Sequence, residues 1–214
     1  MAFDPVRQRV LLFGAVWPAP DLWEWDGSDW TPVPFNTTPP PLTSHAMATD
    51  PWRRRVVAFG GESSSPGDQT WEWDGEFWEQ KSAEPPTACD HVRMVFDSAQ
   101  GEVVLFSGLD TSETPVKETW SWNGRKWTLL SQEGPESRGH FGFVYDPGHE
   151  QALLYGGYTS APTDEFWAWK DGAWHEMDFP GPGTLSHFGM AYDTTANALY
   201  IVSGATSRST FSSF

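Results

Sequence analysis

A pattern of tryptophans occurs four times in this chain and constrains its fold more than any other feature. The pattern is W-x-W, a short turn with Asp-Gly or Asn-Gly, and a further tryptophan. Its copies begin at Trp23, Trp71, Trp120 and Trp167. Together they account for 12 of the 14 tryptophans. Self-similarity at a fixed period is typical of repeat architectures, in which each repeat is one unit of supersecondary structure. The tryptophans therefore indicate a fold built from repeated units.

A second marker sets the period of the repeat. An aspartate preceded by an aromatic residue or threonine occurs five times, at Asp4, Asp50, Asp97, Asp146 and Asp193. Successive aspartates are 46, 47, 49 and 47 residues apart, and a pair of small residues lies ten residues after each of them. We expect a single domain over residues 1–214. Its repeats would cover 1–43, 44–90, 91–139 and 140–186, with a partial fifth at 187–214.

Each repeat has the pattern of four short strands. Segments such as RVVAFG and EVVLFS are nearly continuous apolar runs, as expected of strands that are buried on both faces. The spacing of W-x-W places both indoles on one face of a later strand, and the Asp-Gly pair favours a hairpin turn. No segment has the period of an amphipathic helix. The sequence therefore predicts an all-β protein, a β-propeller of four-stranded antiparallel blades with four nearly complete blades plus a partial fifth.

The same residues resemble the kelch repeat, the motif of kelch-type propellers. The resemblance rests on the pairs Gly60-Gly61 and Gly156-Gly157, a downstream aromatic strand and a later tryptophan, and it spans essentially the whole chain. The chain departs from the motif at Gly14-Ala15, Ser107-Gly108 and Ser203-Gly204, and in its doubled tryptophan. These departures suggest a divergent, bacterial kelch-like protein. The resemblance implies a blade arrangement like that of the galactose oxidase central domain.

The resemblance also raises the questions of blade number and of catalysis. Kelch-type propellers usually have six or seven blades, so the chain is either a compact five-bladed ring or a fragment that closes by self-association. Some members are copper oxidases that need a Tyr-Cys cross-link. Cys89 lies in a proline-rich segment, and no motif ties a tyrosine to it. The resemblance therefore does not extend to that activity.

Composition and missing motifs exclude several classes of function. The formal net charge of −16 would repel nucleic acid phosphates. No apolar run approaches the roughly 18–20 residues of a membrane helix, and no signal-peptide pattern follows Met1. We therefore expect a soluble chain with no membrane insertion, in a compartment the residues do not specify. The single cysteine excludes an intrachain disulfide framework, and no common catalytic motif is present. We expect no catalytic residues and no cofactor.

The repeated tryptophans and aspartates are more consistent with structural roles than with a binding site. Exposed indoles can stack on sugar rings, but a pattern that recurs once per blade on strands is better explained by packing between blades. Each repeated aspartate precedes a turn, where its side chain can accept hydrogen bonds from backbone amides two residues on. We expect both sets of side chains to stabilise the blades.

Three histidines form the one repeated set with possible chemistry. His91, His140 and His187 each open a first strand, six residues before the repeated aspartate. The first strands of a propeller line its central channel, so these imidazoles could converge, and three imidazoles can bind zinc or copper. Repetition alone would also place them at equivalent points, and no acidic partner is evident beside them. We expect no metal here and keep a metal-binding or enzymatic propeller as the alternative function.

Loop lengths provide the remaining functional signal. The links within hairpins are short and share one face of the propeller, whereas the links between second and third strands and between blades are long and share the other. Binding residues concentrate in long loops on a rigid scaffold. We therefore expect a non-catalytic scaffold that binds a protein or carbohydrate partner through this long-loop face, and that also has the potential to form a homo-oligomer. The candidate binding residues are Trp17, Asp21, Glu62, Asp68, Asp110, Tyr158 and Asp164.

Overall fold

The described part of the chain consists of strands, turns and loops without a helix. The computed structural model describes residues 1–16, 19–34, 42–61, 68–87, 90–106, 108–110, 112, 114–179, 181–202, 205–207 and 210–211. Four sheets follow one another along the chain, and each has four antiparallel strands paired in sequence order. Two short two-stranded sheets follow them. The predicted all-β architecture is confirmed.

The strand bounds show the repeat directly. The first sheet contains β1 (Ala2–Asp4), β2 (Arg9–Val16), β3 (Ala19–Trp25) and β4 (Trp30–Pro32). The second contains β5 (Ala46–Asp50), β6 (Arg55–Phe59), β7 (Thr70–Trp73) and β8 (Trp78–Lys81). The third contains β9 (Arg93–Asp97), β10 (Glu102–Phe106), β11 (Thr119–Trp122) and β12 (Trp127–Ser131). The fourth contains β13 (Gly142–Asp146), β14 (Gln151–Tyr155), β15 (Phe166–Lys170) and β16 (Ala173–Glu176). The last two sheets contain β17 (Gly189–Asp193) with β18 (Ala198–Val202), and β19 (Ala205–Ser207) with β20 (Thr210–Phe211).

The repeated aspartates end the first strands and stabilise the turns after them, as predicted. In the third sheet, Asp97 Oδ1 accepts hydrogen bonds from the backbone N–H groups of Ala99 and Gln100, at 2.9 and 3.2 Å. The other four repeated aspartates accept backbone hydrogen bonds in the same way. Each carboxylate therefore satisfies amides that the tight turn leaves without a strand partner.

The sheets pack side by side as the blades of a propeller. The first strands contact each other in chain order, so that β1 meets β5, β5 meets β9, β9 meets β13 and β13 meets β17. A separate apolar cluster fills each space between neighbouring sheets. The central strands β6, β10 and β14 supply side chains to the clusters on both of their faces, which explains their continuous apolar sequences.

In the second, third and fourth sheets, the last tryptophan of the pattern packs against the preceding blade. In three successive interfaces its ring meets a phenylalanine from the second strand of that blade. The pairs are Phe13–Trp78, Phe59–Trp127 and Phe106–Trp174, with ring centroids 5.3, 5.0 and 4.7 Å apart. Two of these indoles also donate a hydrogen bond across the interface, from Trp127 to the Thr70 hydroxyl and from Trp174 to the Thr119 hydroxyl, at 2.8 Å each. The predicted role of the tryptophans in packing between blades is confirmed.

The ends of the chain differ in detail from the regular repeat. Gly14-Ala15 was expected to close the second strand, but β2 continues through Val16 and pairs with a longer β3. The segment at Thr210-Phe211 is a strand, as the alignment of repeats predicts, yet it pairs with β19 instead of β18. Among the described elements, neither β17 nor β18 has an extended contact with the first sheet.

Candidate binding site at the channel mouth

The three repeated histidines lie just before the first strands, in an unusual backbone conformation. His91, His140 and His187 have φ values of 56°, 56° and 58°, and Ser44 has 57° at the equivalent position of the second blade. This left-handed region is uncommon for residues with a side chain. The prediction that each histidine opens a strand was wrong by two residues, since β9, β13 and β17 begin at Arg93, Gly142 and Gly189. The recurring turn directs each imidazole out of the sheet.

This turn brings the three imidazoles together in a row. The rings of His140 and His187 stack at a centroid distance of 3.7 Å and an interplanar angle of 19°. The ring of His91 meets that of His140 edge to face at 4.9 Å. The backbone N–H of His187 also donates to the carbonyl of His140 at 3.0 Å. The sequence-based expectation that these side chains converge is met, and we call the three residues the histidine row.

Polar neighbours fix the outer two imidazoles. His91 Nδ1 lies 2.8 Å from Asp90 Oδ2, and His187 Nδ1 lies 3.0 Å from the Ser186 hydroxyl. Sequence analysis found no acidic partner beside the histidines, and that statement was wrong for His91. The left-handed turn folds the side chain of His91 back onto the residue immediately before it. Adjacent residues in an extended strand would point to opposite faces.

The environment of the row keeps the central imidazole neutral. Burial, with smaller contributions from the nearby His187 and His91, lowers the pKa of His140 to about 4. Protonating one of two rings stacked at 3.7 Å would place a charge against its neighbour. His140 therefore presents an uncharged imidazole at neutral pH.

The stacked rings are poorly arranged for one shared metal ion. A zinc ion needs imidazole nitrogens about 2.0–2.1 Å away whose lone pairs converge on it. The lone pairs of two nearly parallel stacked rings point in nearly parallel directions. Within the described ranges, no group of three or more His, Cys, Asp or Glu residues has metal-binding geometry. The arrangement is better suited to hydrogen bonding and aromatic stacking.

A cavity of about 460 Å³ runs among the first strands. It is lined at equivalent repeat positions by Met1, Met47, Met94, Phe143 and Met190. This apolar lining explains why these positions share large hydrophobic residues in the sequence.

Arg93 introduces a cation into this cavity. Its guanidinium donates to the carbonyl of Val92 at 3.3 Å, and burial lowers its pKa. His45, the residue one position out of register, also lines the cavity, and burial is the main reason that its pKa falls to about 4. Among the lining residues, none carries a carboxylate. Sequence analysis missed Arg93, although a charged residue in the otherwise apolar segment HVRMVFD was a usable signal.

Buried contacts hold the loops around the mouth. Arg138 is almost fully buried and donates to the carbonyls of Glu136 and Gly156, at 2.9 and 3.2 Å. It also forms an ion pair with Glu165 at 2.6 Å. These bonds join the connection before the fourth sheet to both ends of the loop between β14 and β15. The loop is therefore part of a rigid frame.

The predicted loop residues have different surroundings. Tyr158 is half-buried and its backbone pairs with that of Gly139, where an added Cβ would lie 3.4 Å from the ring of His91. Asp110 accepts hydrogen bonds from the N–H groups of Ser112 and Thr114, both at 2.8 Å, so it has a structural role within its loop. Asp68 and Asp164 are exposed.

The side chains of three other candidate residues lie outside the described structure. Asp21 belongs to β3, where it pairs with Gly14, and its side chain lies outside the described structure. Trp17 and Glu62 lie outside the described residues, as does Cys89. The site can therefore be argued from the histidine row, Arg93 and the Tyr158 loop.

The fold and the site define this chain as a β-propeller with a polar channel mouth. A solved structure of YjhT is similar in fold, with a TM-score of 0.68 at 10% sequence identity. The match covers 86% of this chain and 66% of the YjhT chain, so this chain spans slightly less than two thirds of that one. No family model matches the sequence, and no curated protein does. In the part of the chain that the structure describes, no helix is both long and apolar enough to cross a membrane.

Proposed function

We propose that this chain is a divergent kelch-type propeller that acts as a non-catalytic binding scaffold. Its partner, a protein segment or a glycan, contacts the long-loop face around the channel mouth. The observation that carries the proposal is the histidine row, in which three adjacent blades present imidazoles beside a cavity that contains Arg93. A propeller fold is compatible with many functions, so the argument rests on this face.

The chemistry of the mouth supports recognition of a group that accepts hydrogen bonds. Neutral imidazoles can donate one hydrogen bond and accept another, while a guanidinium only donates. Arg93 retains its charge even though burial lowers its pKa, because an arginine pKa remains far above neutrality. A carboxylate or a sugar hydroxyl would therefore complement this mouth, and the aromatic rings would provide stacking surfaces.

The rigidity of the surrounding loops also supports binding without catalysis. Arg138 and Glu165 fix the loop that contains Tyr158, and preorganised groups lose less conformational entropy when a ligand binds. The Ser186 hydroxyl lies 3.0 Å from His187 Nδ1, but Ser186 is only 2% exposed, so this pair is closed to a substrate. The contacts at the mouth are those of a preformed recognition surface.

A glycan array and a peptide library, probed with the purified protein, test this proposal. Ligands that emerge are measured against the variants His187→Ala and Tyr158→Ala, with Lys126→Gln as a matched control. Lys126 is exposed and lies in the hairpin turn between β11 and β12, on the opposite face. We expect the two mouth variants to weaken binding by about tenfold or more, equivalent to 1.4 kcal/mol, and the control to bind as the parent does. If all variants bind equally well, the channel mouth is not the binding site.

A substitution at Asp110 needs a variant that preserves its loop. Replacement by alanine would remove two backbone hydrogen bonds, so lost binding would not distinguish contact from collapse of the loop. Asp110→Asn keeps an oxygen acceptor for the same amides and removes only the charge. A drop in affinity with this variant at an unchanged melting temperature indicates direct contact.

Self-association is a second candidate function, favoured by the exposed faces at the two ends of the array. Phe3 and Leu12 on the first sheet are 44% and 40% exposed, and Tyr200 and Val202 on β18 are 51% and 66% exposed. Between other sheets such positions are covered by the next blade. Sedimentation velocity of the parent and of Val202→Asp tests pairing of these faces. A dimer that the substitution dissociates supports pairing, whereas a monomer at high concentration contradicts it.

A further inference from the structure

At the first two blade interfaces, the second indole of W-x-W donates a hydrogen bond to a carboxylate of the preceding blade, and the third interface lacks such a bond in the described structure. At the first interface Trp73 Nε1 donates to Asp4 Oδ2, and at the second Trp122 Nε1 donates to Glu72 Oε1, both at 2.8 Å. Trp169 is the equivalent residue of the fourth sheet and is only 4% exposed. Its indole N–H donates no hydrogen bond to another residue in the described structure. The side chain is buried but its nitrogen is not fully enclosed, so the N–H faces a space in which a partner can lie.

The side chains that fill the first two interfaces are replaced at the third. An arginine lies three residues after the repeated aspartate in the first two blades, and an ion pair joins it to the glutamate of W-x-W. These pairs are Arg7–Glu24 and Arg53–Glu72. In the third blade, Gln100 and Ser121 occupy the two positions. The shorter side chains lie beside a cavity of about 380 Å³, which Trp169 also lines.

The hairpin of the third sheet shows how closely a guanidinium fills the second interface. A Cβ atom built on Gly124 would collide with the guanidinium of Arg53. The fourth hairpin has a different turn, in which Asp171 is two residues after Trp169, as Gly124 is after Trp122. In the third interface this position therefore contributes a carboxylate to the cavity.

The residues that line this cavity carry more negative than positive charge and would attract a cation. Asp97, Glu102, Glu150 and Asp171 contribute carboxylates, and Lys170 contributes the one ammonium among the lining residues. The cavity volume lies within the range of roughly 300–1,000 Å³ that is usual for small-molecule sites.

Two buried donors complement the carboxylates. Ser121 is 3% exposed, and like Trp169 it donates no hydrogen bond within the described ranges. The site therefore offers acceptors for a cation and two donors for a neighbouring carbonyl group.

We propose that this cavity, the third-interface pocket, binds the side chain of an arginine from a peptide or an arginine-like small molecule. The guanidinium takes the place that Arg53 occupies in the second interface, where it contacts Asp50 at 2.7 Å and Glu72. In the pocket, Asp97 stands at the position of Asp50. The Trp169 N–H and the Ser121 hydroxyl donate to the carbonyl of the ligand. This site lies on the short-turn face, away from the channel mouth, and does not depend on the function proposed there.

Arginine amide is the probe for this proposal, and citrulline amide is its matched control. The two have nearly the same shape, but citrulline has a neutral urea in place of the guanidinium. We expect arginine amide to bind with a dissociation constant of roughly 1 mM or below, and to shift the indole N–H resonance of Trp169 in a nitrogen-15 NMR spectrum. Citrulline amide should bind at least about tenfold more weakly, because it lacks the charge that the carboxylates attract.

A variant based on the neighbouring interface tests the location. The double substitution Gln100→Arg with Ser121→Glu rebuilds the Arg53–Glu72 pair inside the pocket. We expect it to raise the melting temperature and to lower the affinity for arginine amide by more than about tenfold. The single substitution Gln100→Arg keeps the test usable if the double variant does not fold, since arginine already occupies this turn position in two blades.

Three results would overturn the proposal. The first is that arginine amide does not bind at millimolar concentration. The second is that both amides bind equally well. The third is that a folded Gln100→Arg variant binds arginine amide as tightly as the parent does. Binding at the channel mouth is measured separately with His187→Ala. A failure of the pocket therefore leaves the function at the mouth unaffected, and a failure at the mouth leaves the pocket unaffected.

Discussion

Trp122→Phe provides a quantitative test of how neighbouring blades are joined, with Trp169→Phe as a matched control. The two tryptophans occupy the same repeat position and are 0% and 4% exposed. Each packs against the last tryptophan of its own pattern, with ring centroids 5.3 and 5.6 Å apart. The difference between them is the hydrogen bond from the Trp122 N–H to Glu72, which has no counterpart for Trp169 in the described structure.

The expected difference in stability follows from that hydrogen bond. Both substitutions remove similar apolar volume, so their packing losses should be similar. Only Trp122→Phe also removes a donor from a carboxylate that is 2% exposed, and hydrogen bonds to charged groups contribute roughly 1.5–3 kcal/mol. We therefore expect the free energy of unfolding to fall by about 2 kcal/mol more for Trp122→Phe than for Trp169→Phe.

Urea denaturation followed by circular dichroism measures this difference without relying on tryptophan fluorescence. The two variants should have the same dependence of the unfolding free energy on urea concentration, so that the midpoints report stability. Equal destabilisation of both variants, within about 0.5 kcal/mol, would contradict the role given to the bond between Trp122 and Glu72.

Three further predictions concern the channel and its loops. His45 has a pKa near 4 in the folded chain and about 6.5 when unfolded, so the unfolded chain binds an extra proton between these values. The free energy of unfolding should therefore fall by up to about 3 kcal/mol as the pH falls from 6.5 to 4. In urea denaturation, His45→Gln should flatten this pH dependence. An unchanged dependence would contradict the assignment of this effect to His45. Arg138→Met removes a buried ion-pair partner from Glu165, whose side chain is 39% exposed, and should lower stability by about 1.5 kcal/mol in the same assay, whereas a loss below about 0.5 kcal/mol would contradict the role given to Arg138. His187→Ala removes the ring that covers His140 and so reduces its burial, so an NMR titration should show the pKa of His140 rising from about 4, and no rise would refute the stack.

The fold was predictable because every blade repeats the same few side chains. The period of two in W-x-W and the continuous apolar second strands specify strand type. The aspartates that end the first strands specify where each turn occurs. The pairing of β20 with β19 was not predictable, because the number of repeats does not determine how the last segment pairs.

The candidate site was only partly predictable, because it depends on backbone conformation. Sequence spacing identified His91, His140 and His187 as a set. It did not predict the left-handed turn that stacks two of the rings and folds His91 against Asp90. A side chain in this conformation points differently from one in a strand, and nothing in the residue type required it.

The third-interface pocket illustrates a signal that was present but unused. Gln100 and Ser121 depart from the arginine and glutamate of the first two blades at equivalent positions. Taken singly, each substitution is ordinary for a surface position. Only the structure shows that the two positions lie beside each other in the third sheet and line the same cavity.

Hydrogen exchange of the indole N–H groups, followed by nitrogen-15 NMR, tests most directly whether the tryptophan pattern joins the blades. Trp73, Trp122, Trp127 and Trp174 each donate to a side chain of the preceding blade at 2.8 Å. Their N–H groups should exchange slowly, and that of Trp169 should exchange faster, because exchange requires the hydrogen bond to open. Rapid exchange at all five positions would contradict the account, since it would mean that the indoles face solvent rather than the neighbouring blade.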